Sequence, residues 1–271
     1  MLEVQIGFDY FACIKILYFC CMMLSQSKRS FIHSLEHKKY RLKTGCFLAE
    51  GNKCCTDLLN DLHCKLLIAT DKWLLEHPKC KAEEILEIDK AELQKISLQQ
   101  SPQEVLAVFE IPQYHFDNSV IAGKLSLALD NIQDPGNMGT ILRLADWFGI
   151  EHVLCSKGTA DAFNPKTVQA TMGAIGRIKI HYLDLSEVFS KVEMPVYGTF
   201  LEGDPIYDVA LKQEGIVVMG NEGNGISGEI APYITQKLFI PDYPVGKTGS
   251  ESLNVGVATA IVCSEFRRRN R

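Results

Sequence analysis

The sequence predicts an α/β protein whose C-terminal half is a parallel sheet flanked by helices, preceded by a smaller α/β unit. Three observations predict it. From Leu125 onward, short apolar runs alternate with helical stretches, the pattern of strands joined by crossover helices. A stretch with Pro112, Asn118 and Gly123 interrupts the pattern before that point and reads as a linker. The chain of 271 residues, 46% hydrophobic and 23% charged, is long enough for two domains with real cores.

In the first half, residues 25–43 read as one helix ended at Gly45, residues 46–49 as a strand, and residues 52–59 as a helix capped by Asn52. Residues 65–69 form a strand, and Asp71 caps a brief helix stopped by His77-Pro78. Residues 85–88 are strand-like, 90–96 helical, and 105–111 a strand. The predicted domains are 24–112 and 125–271, joined by a linker over 113–124. In the second half, strands are expected at 125–129, 152–155, 178–181, 196–200, 216–219 and 238–240. Helices are expected at 138–148, after Asn164-Pro165, at 226–233, and from about 252 to Phe266. Trp73 and Trp147 are assigned to the core, and the scattered histidines to structure or solvent.

Residues 1–23 stand apart. Phe11 to Met23 is apolar except for Lys15, but Glu3 and Asp9 replace the basic residues of a secretory leader, and the run is too short to span a bilayer. The expectation is an extension ahead of a true start at Met22 or Met23. The ten cysteines include the adjacent pairs Cys20-Cys21 and Cys54-Cys55, no Cys-x-x-Cys, and no defensible zinc spacing around His63-Cys64. Reduced thiols, a cytoplasmic location and no metal follow as expectations, with Cys46, Cys155 and Cys263 as small buried hydrophobes.

A net charge of −5 argues against a nonspecific polyanion binder. Basic residues nevertheless gather locally. Lys28, Arg29, Lys38, Lys39, Arg41 and Lys43 face only Glu36 and Glu50 between Ser25 and Glu50, and Arg267, Arg268, Arg269 and Arg271 crowd the C-terminus. Such runs are ordinarily solvated faces; here they also make candidate RNA contacts.

Three polar segments carry the chemistry. The first is Asp130-Asn131-Ile132-Gln133-Asp134-Pro135-Gly136-Asn137-Met138-Gly139-Thr140-Ile141-Leu142-Arg143. Its Pro-Gly turn leads into a helix with Asn137 as the expected N-cap. Met138, Ile141, Leu142, Ala145 and Phe148 make the inner face. Gly139 lies one turn before Arg143, where bare backbone would leave room for a ligand. Taken alone, Arg143 reads equally well as the i,i+3 ion-pair partner of Asp146. The second segment, Ile216 to Ile226, runs from a buried strand into Gly220-Asn221-Glu222-Gly223-Asn224-Gly225. The third, Ser250-Glu251-Ser252-Leu253-Asn254-Val255-Gly256, opens the last helix. Singly, Ser252 would serve as its cap and Glu222 as a solvated turn residue.

In this order and spacing the three segments resemble the motifs of the SpoU (TrmH-like) RNA 2′-O-ribose methyltransferases of the SPOUT superfamily, over roughly Leu125 to Arg268. Residues 25–50, with Phe31-Ile32-His33-Ser34-Leu35 and Phe47-Leu48-Ala49-Glu50-Gly51, resemble the ribosomal-protein-like substrate-binding domain that precedes many members. The resemblance implies a trefoil-knotted methyltransferase domain, S-adenosylmethionine as cofactor, ribosomal or transfer RNA as substrate, and a homodimer formed through the catalytic domain. It places Asn137, Arg143, Glu222, Ser252 and Asn254 at the reaction centre, and Thr199, Gly220, Ile240 and Leu253 at the cofactor. Lys28, Arg29, Lys38, Lys39 and Arg41 are then the RNA-binding candidates, and the Lys247-Thr248-Gly249 loop a lid.

Two other readings compete. Gly223-Asn224-Gly225-Ile226-Ser227-Gly228 fits G-x-G-x-x-G between a strand and an expected helix, with Asp242 further on, the outline of a dinucleotide-binding oxidoreductase. A noncatalytic RNA-binding relative is the other, although binding alone does not require Arg143, Ser252 and Asn254 together.

Overall fold

A computed structural model describes residues 24–244 and 252–269. The 1–23 extension, the Lys247-Thr248-Gly249 loop and Arg271 lie outside the described residues, as does part of the stretch whose threading would make the expected knot. The chain divides into one unit ending at Ile111 and another beginning at Pro112.

The first unit contains α1 (Gln26–Ser34), α2 (Lys38–Thr44), β1 (Cys46–Glu50), α3 (Asn52–Asp61), β2 (Cys64–Ala69), α4 (Asp71–Glu76), β3 (Glu84–Glu87), α5 (Lys90–Ile96) and β4 (Val105–Glu110). Its sheet has the order β1-β4-β2-β3, with β4 antiparallel to both neighbours and β3 parallel to β2. Alternate residues face opposite ways along each strand, and in β1, β2 and β4 both sets are largely apolar. Leu48 and Val108 join Ile32, Leu35 and Leu93 on one side, while Phe47 and Phe109 stack on the other.

The expected single helix over 25–43 is two helices. Leu35 is fully buried at the junction, and the Arg41 guanidinium reaches back to the Leu35 and Glu36 carbonyl oxygens, both at 2.7 Å. Those carbonyls, freed by the break, are satisfied by a side chain instead of the next turn. Thr70, not Asp71, caps α4, its hydroxyl accepting from the Trp73 N–H.

The second unit contains β5 (Leu125–Leu129), α6 (Pro135–Trp147), β6 (His152–Ser156), α7 (Pro165–Thr171), β7 (Lys179–Leu183), α8 (Leu185–Phe189), β8 (Val196–Phe200), β9 (Asp204–Pro205), β10 (Gly215–Met219), β11 (Gln236–Phe239) and α9 (Val255–Arg268). The strand order is β7-β6-β5-β10-β8-β11-β9 and every pairing is parallel. One face packs Ala128, Leu154 and Val218 against α8 and the segment around Ile226 and Ile230. On the other, Phe266 of α9 meets the Tyr197 ring at 5.0 Å.

Helix 226–233 does not form. The segment is turns followed by a 3-10 helix at Ala231–Tyr233, because Pro232 offers no N–H to a helical ladder. The short α8 and two-residue β9 were not expected. Trp147 is 82% exposed, against its assignment to the core, since the inner stripe of α6 ends at Ala145.

Helices α6 and α9 run side by side, and both ends of the pair are tied. At one end the Asn254 and Asn137 side chains are bonded. At the other, the Arg267 guanidinium donates to the Phe148 and Gly149 carbonyls at 2.7 and 3.0 Å. Arg269 donates to the carbonyls of Ile206, Tyr207 and Val209. Arg267 and Arg269 of this expected basic tail are therefore staples, each capping backbone oxygens that would otherwise lose their water. Arg268 and Arg269 also hold Glu265, and their hydrogen bonds pull its carboxyl down from 4.5 to about 2 against the opposing effect of burial.

Two predictions follow from this packing. A Cβ at Gly139 would stand 2.5 Å from the Ala170 Cβ and 2.6 Å from the Thr167 carbonyl oxygen on α7. Gly139→Ala should therefore destabilise the unit by about 1–3 kcal/mol in urea unfolding, as overpacking does. Glu265, with its folded carboxyl held low, contributes stability that is present above the unfolded value and is lost as pH falls toward about 2. Glu265→Gln should thus flatten part of the stability loss between about pH 4.5 and 2, measured as melting temperature against pH.

Candidate active site

In a parallel sheet the carboxyl ends of neighbouring strands share one edge, so the loops that leave them meet. β5 and β10 are such neighbours. The loop after β5 begins with Asp130, whose buried carboxylate accepts the Ser227 N–H at 2.7 Å. Asn131 follows in the left-handed region at φ 58, and its carbonyl oxygen accepts from the Asn221 Nδ2 at 2.8 Å. Asn221 folds the Gly-rich loop on itself. Its Oδ1 accepts the Gly223 and Asn224 N–H groups, both at 3.0 Å, and its backbone pairs with Gly225 in both directions. The loop after β10 is thereby fastened to the loop after β5 at two points.

Asp134, not Asn137, is the N-cap of α6. Its Oδ1 accepts the Asn137 N–H at 2.8 Å, and Pro135 fills the first helical position. That bond and Lys166 hold the Asp134 carboxyl below its ordinary range. Asn137 falls in the first turn, which frees its side chain to face outward.

The orientation of that side chain follows from its neighbours. Asn254 caps α9, its Oδ1 accepting from the Gly256 and Val257 N–H groups at 2.9 and 3.3 Å. Its Nδ2 must then point away, and it donates to the Asn137 Oδ1 at 3.0 Å. The Asn137 Nδ2 in turn donates to the Glu222 Oε1 at 3.0 Å. Since a carboxylate only accepts, no amide in this chain can be flipped without losing a bond. Residues from all three motif segments are joined through one amide.

Arg143 lies six residues along α6 from Asn137, about 9 Å of helical rise. It is exposed and makes no hydrogen bond or ion pair with any described residue. The alternative pairing with Asp146 fails because Asp146 is taken by Arg177, which grips it with two bonds of 3.0 and 2.8 Å. Ser252 is exposed and does not cap α9. The space expected at Gly139 for a ligand is filled by α7.

At the proposed cofactor positions, Thr199 uses its hydroxyl on the Val218 carbonyl at 3.1 Å, Ile240 follows β11 half-buried, and Leu253 is half exposed. Gly220 is tight for an internal reason, as a Cβ there would fall on the Gly225 backbone. The dinucleotide fingerprint fails structurally, because no α-helix forms between Gly228 and β11, and the loop lacks the helix N-terminus on which a pyrophosphate would rest.

Of the five RNA-binding candidates, three are occupied. Arg41 is 2% exposed and its guanidinium caps backbone carbonyls, so it is not available to RNA. Lys28 is ion-paired with Glu84, and Arg29 with Glu92. Lys38 and Lys39 are exposed. Asp130, Gln133, Asp134 and Asn221 were missed as site-builders, Gln133 through a backbone N–H that lies 3.5 Å from Glu222. The Asp-Asn-x-x-Asp pattern of the first segment was the signal available. No group of three or more metal-ligating side chains occurs among the described residues. No described helix is long and apolar enough to cross a membrane.

The profile of the SpoU rRNA Methylase family matches residues 124–264, and that of the MRM3-like substrate binding domain matches residues 30–107. The chain is 29% identical over 238 residues to the 23S rRNA (guanosine(2553)-2′-O)-methyltransferase RlmP of Bacillus subtilis, covering 86% of this chain and 93% of RlmP. Among solved structures it is similar to a putative RNA methyltransferase of the TrmH family from Porphyromonas gingivalis. That likeness has a TM-score of 0.82 and 42% identity, over 91% of this chain and 99% of the other. An AdoMet-bound rRNA methyltransferase from Sinorhizobium meliloti matches with TM-score 0.78 and 29% identity, over 92% of this chain and 97% of its own.

The amide chain makes a separable prediction. Asn137→Ala and Asn254→Ala should each lower stability by about 1–2 kcal/mol, as loss of one or two hydrogen bonds does. In a double-mutant cycle by urea unfolding the pair should fall short of additivity by about 0.5 kcal/mol or more. Strict additivity would mean the bond between them contributes nothing.

Proposed function

The chain belongs to the SpoU rRNA methylase family and is an S-adenosylmethionine-dependent RNA 2′-O-methyltransferase; from there we propose that its substrate is ribosomal RNA and that Asn137, Arg143, Glu222, Ser252 and Asn254 form its reaction centre. The observation that carries this reading is the bonded series Asn254–Asn137–Glu222, which joins three distant segments at the start of the helix that carries the uncommitted Arg143.

The loop fits the cofactor on one count in particular. A Cβ at Gly225 or Gly228 would meet nothing within 4 Å, so bare backbone is presented beyond the strand ends. Thr199, Gly220, Ile240 and Leu253 would hold it, chiefly through backbone and apolar contact. When bound, S-adenosylmethionine supplies a methyl group on a sulfonium, a leaving group that needs no assistance. What remains for the protein is to place a ribose 2′-hydroxyl in line and ease the loss of its proton. Arg143 is assigned to that task. A guanidinium is too weak an acid to serve as base without a very large shift, but it binds a phosphate with two parallel bonds and stabilises a developing alkoxide as it stands. Asn254 and Asn137 fix the surroundings, and Ser252 adds a hydroxyl within the same segment as Asn254.

Ribosomal RNA is favoured over transfer RNA by the full-length likeness to RlmP. A homodimer is supported by exposed apolar side chains on the tied helix pair, Trp147 at 82% and Val257 at 50%. A cytoplasmic setting is supported by the buried free thiols of Cys46, Cys155 and Cys263.

Arg143→Ala should abolish transfer of label from tritiated S-adenosylmethionine to RNA, while cofactor affinity by calorimetry is retained. Full activity in that variant overturns the assignment, and absence of any transfer by the unaltered protein would favour the noncatalytic reading. Mapping of 2′-O-methyl groups missing from a deletion strain identifies the RNA; loss confined to transfer RNA refutes the ribosomal assignment. Trp147→Glu should shift the protein to a monomer in sedimentation, and an unchanged assembly would place the dimer face elsewhere.

A further inference from the structure

We propose that the outer face of α2 is a platform for unpaired RNA, with Lys38, Lys39 and Lys43 on phosphates and the adjoining Tyr40 and His37 rings stacking a base. The proposal rests on the RNA methyltransferase reading and extends it to the form of RNA that the first unit grips.

The first unit engages about half of its cations internally, and of the others Lys79, Lys81 and Lys90 belong to segments other than α2. Lys28, Arg29, Lys53, Lys65, Lys72 and Lys95 are ion-paired, and Arg41 caps carbonyls from within. Lys38, Lys39 and Lys43 form no ion pair or hydrogen bond with any described residue, although all three are exposed on one seven-residue helix. That helix contains no acid, and Glu36 just before it forms no ion pair with it among the described residues. Two of the lysines sit in its first turn, where the backbone dipole disfavours cations, so the fold itself gains nothing from them there.

Rings lie among these charges. Tyr40 is 41% exposed, and its ring centroid lies 6.4 Å from that of His37 at an interplanar angle of 50°. Leu42, 72% exposed, adds apolar surface on the same helix. Arg41, anchored beneath, fixes the helix to the junction carbonyls and holds this face outward. Charge without rings would suit any phosphate backbone. Exposed rings beside unpaired lysines suit a strand whose bases are free to stack, as in loops and bulges; paired bases in an A-form helix are closed to such contact.

The test uses the whole protein and total RNA from a strain lacking it. A variant with Lys38→Ala, Lys39→Ala and Lys43→Ala should lower kcat/KM at least tenfold through KM and flatten the salt dependence of RNA affinity by about two units of log–log slope. Its affinity for S-adenosylmethionine should not change. Tyr40→Ala should weaken binding about tenfold, the effect of losing one stacked base, whereas Tyr40→Phe should preserve it. A single-stranded RNA should compete better than a duplex of equal length. Unchanged KM and salt slope in the lysine variant, or equal competition by duplex, overturn the proposal. If the unaltered protein transfers no methyl group, the enzyme reading fails, yet filter binding of the same single-stranded and duplex RNAs still decides the platform.

Discussion

The structure turns on a single side-chain amide. Asn137 accepts from one motif segment and donates to another, and neither partner has freedom to reverse it. Asn254 is oriented by its duty as a helix cap, Glu222 by being an acceptor only. The loops reach this amide because β5 and β10 are parallel neighbours and because α9 lies along α6. The Arg267 staple at the far end keeps the two helices in register, so a contact remote from the site supports its geometry.

The distribution of positive charge explains how an acidic chain is suited to RNA. Arg41, Arg267 and Arg269 are spent on carbonyl oxygens that the fold strips of water, where an unmet acceptor would cost more than an exposed cation gains. Arg177 is held by Asp146. Among the described cations without an ion pair, Arg143 lies within a motif segment and Lys38, Lys39 and Lys43 gather on α2, while others, such as Lys79, Lys81, Lys90 and Lys157, stand elsewhere. Counting basic residues overstates the binding surface, because many of them are already partnered.

Glycine shows a similar division. Gly139 exists so that α6 and α7 can approach, and Gly220 so that its loop can fold back upon itself. Gly225 and Gly228 meet nothing, and it is there that the backbone is bare. All four look alike in the primary structure, since the absence of a side chain says nothing about what occupies its place.

Much of the architecture was legible in the chain because strand and helix periodicity is local. The strand at Leu125–Leu129, the helix at Lys90–Ile96 and the strand at Val196–Phe200 follow directly from apolar pattern. Errors arose where the local pattern was continuous but a distant or subtle constraint decided. The first helix breaks at buried Leu35, the segment at 226–233 cannot propagate past Pro232, and Trp147 lies just beyond the inner stripe. The order and spacing of the motif segments, and hence the family, were determined by the sequence alone. Which asparagine caps and which one bridges, and which arginine is free, only the tertiary structure decided, because hydrogen-bond direction and ion-pair choice depend on partners that lie as many as 119 positions apart.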